Sequence, residues 1–312
     1  MLGAIIIDKP GGLTSHDVVA RVRRAAGTKR VGHAGTLDPF ATGVLVCCIG
    51  RATRLVQFLV GLDKEYVATV RLGYATDTQD RTGKQITPLR TSNEVSLEDL
   101  RRVLDQFIGP QLQTPPMFSA KKVGGERLYR AARSGREVER EPVSIHVHSM
   151  SLIRDDGPAA EANEDGTRDF EVRVRCSSGT YVRTLAHDIG ERLGVGAHLS
   201  ELRRTEVGHF ALSGAVTLDE VEKMTADELR RALVNTSEML QHLPILILDE
   251  ELAKLVSNGR AISVTGEECS IAQKDEPAIR LCDRQGTLVA VGEYDPVLKL
   301  ISPRVVMGLD LS

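Results

Sequence analysis

The sequence predicts an α+β protein: one large mixed domain, then a small β domain. Three observations carry this. Short runs of strand type, either wholly apolar or alternating, recur along the chain. Helix patterns with capping residues are set between them. From Leu246 onward, short apolar runs alternate with Gly and Pro, which is the texture of a small β unit. The chain has 312 residues, 41% of them hydrophobic, ample for a core and for one large domain or two. Pro244 marks the division, into 1–244 and 245–312.

Taken in order, Gly3–Asp8 reads as a buried strand, broken by Lys9-Pro-Gly-Gly12. Thr14-Ser-His-Asp17 has the form of a capping box. Val18, Val19, Val22 and Ala26 then follow at helical spacing, and Gly27 ends the helix. A glycine-dense stretch, Arg30–Gly43, leads into the strand Val44–Ile49. Ala52–Val60 is a short helix, and Lys64-Glu-Tyr66 opens a strand through Leu72. Thr76–Asp80 is a polar turn, since no further ligand completes a metal shell around its two acids.

Ser96–Asp99 caps a helix with Leu97, Leu100, Leu104 and Phe107 on one face, ended by Gly109-Pro110. Pro115 and Pro116 forbid regular structure after it. Lys121–Arg140 is rich in Lys and Arg, and reads either as a solvated helix or as a basic patch. Val143–Leu152 is a strand with His146 and His148 on one face; a metal there would lack a third ligand. Arg154–Thr167 is a polar surface loop. Asp169–Cys176 is a strand, Ser177–Gly179 a turn, and a helix follows from Thr180 to Gly194. Tyr181 and Arg183 point to one side if the chain is still extended there and diverge if it is already helical. Glu220–Leu240 reads as one helix.

Charge is mixed, 40 basic against 43 acidic residues. A dedicated nucleic-acid binder is usually basic overall, but binding depends on the local field. The five cysteines form no C-x-x-C pair, which suits a reduced protein with buried thiols. With no signal-peptide pattern and no apolar run long enough to span a bilayer, the expectation is a soluble, cytoplasmic protein without a membrane partner.

The glycine-dense stretch holds a single acid, Asp38, with Pro39 behind it. Proline restricts itself and its predecessor, so Asp38 is either a carboxylate presented from an extended turn or the N-cap of a helix. Local chemistry leaves both open. Gly32-His-Ala-Gly-Thr-Leu-Asp-Pro-Phe-Ala-Thr-Gly43, however, resembles the signature of the TruB family, the tRNA pseudouridine 55 synthases. Lys9-Pro-Gly-Gly-Leu-Thr-Ser15, Cys176-Ser-Ser-Gly-Thr-Tyr-Val-Arg-Thr184 and Gly196-Ala-His-Leu-Ser-Glu-Leu-Arg-Arg204 are similar to its other motifs, in the same order.

The resemblance implies a catalytic domain around a largely antiparallel sheet, with a thumb-like basic insert at 117–142 and a PUA-like tail. It implies that Asp38 is the catalytic nucleophile and that Arg183 pairs with it. Tyr66 and Tyr181 would stack on or flank the target base, Leu202 would wall the uridine pocket, and His33 would lie at the RNA-binding surface. Lys121, Lys122, Arg127 and Arg130 would contact RNA backbone. Glu65 departs from the family pattern, where a basic residue is frequent.

The reaction so implied moves a base from N1 to C5 on one sugar, so it needs no cofactor and no metal. It needs a nucleophile at the sugar, and a neighbouring guanidinium lowers a carboxylate's pKa. The implied partner is the T-arm stem-loop of tRNA, bound by a monomer that needs no protein partner. Two other classes are open to such a sequence: an RNA-binding module without catalysis, and a small-molecule enzyme using the glycine loop for phosphate. No Lys-Ser/Thr follows the glycines, which disfavours the last.

Overall fold

A computed structural model describes residues 1–92, 95–118, 122–123, 126–127, 136, 138–153, 163–264 and 278–308. The first strand, β1 (Gly3–Lys9), leads to helix α1 (Ser15–Ala25), whose predicted capping box is formed by Thr14 and Asp17. Strands β2 (Val31–His33) and β3 (Thr42–Ile49) bracket the glycine loop. A 3-10 turn (Gly50–Leu55) and α2 (Val56–Leu59) then lead to β4 (Lys64–Leu72). Helix α3 (Leu97–Asp105) ends at its C-cap Gln106, short of the expected stop at Gly109-Pro110, and that pair instead begins β5 (Gly109–Gln113). Proline is admitted there because β5 lies at the sheet's edge.

Lys122–Val123 (β6) and Glu126–Arg127 (β7) pair as antiparallel strands, and most of 121–140 lies outside the described residues. Strands β8 (Val143–Leu152) and β9 (Arg168–Cys176) and helix α4 (Val182–Leu193) match their predicted positions closely, and strand β10 (Ala197–Val207), which the sequence marks only as a motif, follows. Two-residue strands follow at β11 (Phe210–Ala211) and β12 (Val216–Thr217).

These strands form a ten-stranded sheet in the order β12-β1-β3-β10-β4-β9-β8-β5, with β2 on β3 and β11 on β10. Only the β1–β12 and β3–β10 pairs are parallel, so the sheet is mixed and largely antiparallel, as expected. Strand β4 alternates buried and half-buried residues along its whole length, whereas β3 is buried on nearly every residue because both its faces are covered. One core packs α3 and α4 on β4, β9 and β10 through Leu100, Leu104, Leu185, Ile189, Val70 and Val172.

The single helix expected over Glu220–Leu240 is instead α5 (Leu218–Lys223) and α6 (Ala226–Arg231), with a 3-10 turn at Glu238–Leu240. The reason is chemical: Thr225 and Glu228 build a second capping box in mid-stretch, which starts a new helix. The backbone of Val234 then pairs with Ala4 instead of continuing the helix.

The tail forms a five-stranded sheet in the order β13 (Ile245–Ile247), β15 (Ala278–Cys282), β16 (Leu288–Asp295), β17 (Leu300–Val306) and β14 (Ile262–Ser263). Helix α7 (Glu250–Ser257) packs on it and takes up part of the apolar run 255–260. Among the described residues no helix is long and apolar enough to cross a membrane.

Candidate active site

The site lies where β3 and β10 run parallel. Gly43 pairs with Arg204 there at φ +99°, and a Cβ on Gly43 would stand 2.1 Å from the Arg204 carbonyl oxygen. Glycine is required twice over, by conformation and by space. The preceding loop is bolted down by residues of the first motif. Lys9, fully buried, donates from Nζ to the carbonyls of Pro10 (2.8 Å), Leu13 (2.7 Å) and Pro39 (3.2 Å). Ser15 Oγ accepts from the Leu37 N–H at 2.9 Å and donates to the Leu37 carbonyl at 3.1 Å. Arg204, buried, reaches the carbonyls of Val44 (2.8 Å) and Gly35 (3.0 Å).

Asp38 therefore sits between two anchored residues. No helix follows Pro39; the Ala41 N–H closes a turn onto the Asp38 carbonyl, so the helix-cap alternative is not realised. The Asp38 side chain, 35% exposed, faces Arg183, which is only 5% exposed. Arg183 Nε lies 2.9 Å from Asp38 Oδ2. The same guanidinium contacts Asp80 Oδ2 at 3.3 Å and donates to the carbonyls of Thr78 (3.0 Å) and Phe118 (2.8 Å). Asp80 is in turn fixed by Thr78 Oγ1, the Thr82 N–H and Thr82 Oγ1.

Burial pushes the Asp38 carboxyl above the usual range, Arg183 pulls it down, Asp80 pushes it up and Lys9 pulls it down. The net direction is upward, which corrects the expected lowering. One guanidinium shared between two carboxylates does not outweigh the partial loss of water. Burial also holds Lys9 down to about 8, so it remains mostly charged at neutral pH.

A cavity of about 260 Å³ opens on this group, lined by Asp38, Tyr66, Tyr181, Arg183, Leu202 and Arg204 among others. Tyr66 is buried on β4, hydrogen-bonded to Arg204, and its hydroxyl is pushed up by that burial. Tyr181 is the extended N-cap of α4, and Arg183 is already helical, so the turn between strand and helix is what brings both to one cavity. Five of the predicted site residues thus converge.

His33 does not line the cavity. It stands on β2 edge-on to His16, ring centroids 5.6 Å apart, and burial holds it down to about 4, so it is neutral at pH 7. Lys122 and Arg127 pair in register between β6 and β7, while Lys121 and Arg130 lie outside the described residues. His146 and His148 stack at 4.6 Å, and His148 Nε2 lies 3.0 Å from an Asp63 carboxylate oxygen. No group of three or more His, Cys, Asp or Glu able to hold a metal occurs among the described residues.

Residues 23–182 match the TruB family pseudouridylate synthase N-terminal domain, and residues 183–241 match the tRNA pseudouridylate synthase B C-terminal domain. The chain belongs to the TruB family. It is 44% identical to the tRNA pseudouridine synthase B of Solibacter usitatus, covering 98% of this chain and 100% of that one. It is 39% identical to the Bacillus subtilis protein of the same name, covering 98% and 97%. In solved structures it is similar to a chain of the archaeal box H/ACA sRNP Nop10-Cbf5 complex, with a TM-score of 0.72 at 26% identity over 99% of this chain and 87% of that chain.

Family membership makes the chain an enzyme, a pseudouridine synthase of the isomerase class. Several residues of the candidate site escape sequence reading. The sequence places Asp80 only in a polar turn, Lys9 in a loop and Arg204 in a basic pair. Arg204 has charged and polar sequence neighbours, Glu201, Arg203, Thr205 and Glu206, so no local signal marks it as buried. Asp80 carried no such signal, because its partner lies 103 residues away.

Proposed function

We propose that this chain isomerises uridine 55, in the T-loop of tRNA, to pseudouridine, with Asp38 as nucleophile. One observation carries the reading: a carboxylate held 2.9 Å from a buried arginine at the wall of a cavity with two tyrosines and a leucine. A cavity of this size suits one flipped base, not a duplex. Flipping costs a few kcal/mol, which stacking on Tyr66 and Tyr181 partly offsets. The names of the relatives, tRNA pseudouridine synthase B, support tRNA as the substrate.

Asp38 attacks C1′ of the flipped nucleotide, and the C1′–N1 bond breaks with its electron pair leaving on the uracil. The base turns within the cavity, C5 attacks C1′, and the carboxylate departs. The proton on C5 is lost and N1 gains one, so nothing is oxidised. Arg183 orients the carboxylate for the attack and stabilises its charge on departure. The neutral His33 props the opened loop. Lys121, Lys122, Arg127 and Arg130 hold phosphates, which gives affinity without sequence reading. The tail from Ile245 is read as a PUA-like unit; the family match ends at residue 241, which supports a division at Pro244.

The test uses a T-arm stem-loop with tritium on C5 of its uridines. Wild-type protein should release tritium, and a cytidine at position 55 should abolish release. Asp38→Asn should bind the stem-loop with near-wild-type affinity and release none. Release by Asp38→Asn at a wild-type rate would remove Asp38 from the role of nucleophile.

A further inference from the structure

Gln113, the last residue of β5, is 4% exposed, and its side chain leaves its own strand to reach the catalytic helix. Its Oε1 accepts from the Tyr181 N–H at 2.8 Å, and its Nε2 donates to the Tyr181 carbonyl at 3.1 Å. The amide thus clamps both backbone polar groups of one residue. Tyr181 needs a clamp, because as N-cap of α4 it has no side-chain capping bond. Its carbonyl also accepts the first two bonds of that helix, from Thr184 and Leu185. Whatever fixes Tyr181 fixes the first turn, and Arg183 is in that turn.

The same short segment supplies a second fixing. Five residues after Gln113, the Phe118 carbonyl accepts from Arg183 Nη2 at 2.8 Å. Pro115 and Pro116 stiffen the span between them, and Arg140 Nη1 holds the Pro115 carbonyl at 3.1 Å. The segment 113–118 therefore bears on the tyrosine of the cavity and on the partner of Asp38 at once.

We propose that Gln113 is a positioning residue: its amide sets where Tyr181 and Arg183 stand against Asp38. The assignment rests on the pseudouridylation reading for its consequence, but not for its geometry. Gln113 itself does not line the cavity. Its loss should act on the chemical step and leave RNA affinity alone, since a displacement of about 1 Å can cost 100-fold in rate.

The experiment compares wild type, Gln113→Met and Gln113→Glu. Met keeps length and bulk and loses both bonds. Glu keeps the acceptor for the Tyr181 N–H and loses the donor to its carbonyl. Single-turnover tritium release from the T-arm stem-loop should fall about 10- to 100-fold in Gln113→Met, and less in Gln113→Glu. The stem-loop Kd should stay within about threefold of wild type in both. Amide hydrogen exchange at Tyr181 is followed in the same samples and needs no activity. Faster exchange at Tyr181 in Gln113→Met, with the core of α4 still protected, supports the clamp. Unchanged exchange overturns it, and so does a single-turnover rate within twofold of wild type. A wild type that exchanges as described but releases no tritium would sink the substrate reading and leave the clamp standing.

Discussion

Asp38 and Arg183 divide their burial unequally. The arginine is almost wholly enclosed and makes four fixed contacts, while the carboxylate keeps a third of its surface open to the cavity. That arrangement leaves a carboxylate oxygen accessible to the cavity and fixes the cation beside it. It has a cost in stability. The Asp38 carboxyl titrates above its ordinary value of 3.8 in the folded chain, with burial as the largest cause. The folded state then binds the proton more tightly than the unfolded state. Ionised Asp38 opposes folding at pH values above its folded pKa, and this opposition fades as pH falls toward the ordinary value. Asp38→Asn should therefore raise Tm at pH 7.5. The gain should shrink steadily as the pH is lowered to 4. Thermal melts of both proteins across that range check it; a variant less stable at pH 7.5 would mean the Arg183 pairing outweighs burial. This is the trade of stability for function seen at many active sites.

At the scale of elements, the glycine loop is shaped by its neighbours more than by itself. Its second strand, β3, begins at Thr42, and at Gly43 it passes within contact of the Arg204 backbone. Gly43→Ala would need a left-handed φ and would drive a methyl group into a carbonyl oxygen. It should cost at least about 3 kcal/mol, the scale of strain added to overpacking, in urea unfolding. A loss under about 1 kcal/mol would show that the β3–β10 junction yields easily.

The same loop shows what sequence reading could and could not reach. Capping boxes at Thr14 and Ser96 and the alternation in β9 are local chemistry, and the structure has all of them. The capping box at Thr225 is local too, and overlooking it merged two helices into one. The convergence of Tyr66, Tyr181, Arg183 and Leu202 came from ordered motifs, not from periodicity. Asp80 and Gln113 were out of reach, because each acts on α4 across 68 residues or more and nothing next to it in sequence points there.

Over the whole molecule, the two sheets are joined by apolar packing. One core cluster contains Val46, Ala52 and Leu55 from the large unit together with Cys282, Val291 and Val305 from the small one. Met239, Leu240 and Leu243, just before the division at Pro244, lie in the same cluster and are buried. Polar ties reinforce it: Arg54 donates to the Val306 carbonyl at 2.7 Å, and Arg280 to the carbonyls of Leu243 and Ser237. A boundary that is clean in sequence is thus not a boundary in the core. Units that share buried side chains lose each other's packing when either unfolds, which couples their transitions. The full chain should therefore melt in one calorimetric transition, with equal calorimetric and van't Hoff enthalpies. Val291→Ala, which removes two buried methyl groups from the shared cluster, should lower that single Tm by several degrees without splitting it. Two resolved transitions, with only the smaller one shifted by Val291→Ala, would instead make the tail an independently folding unit.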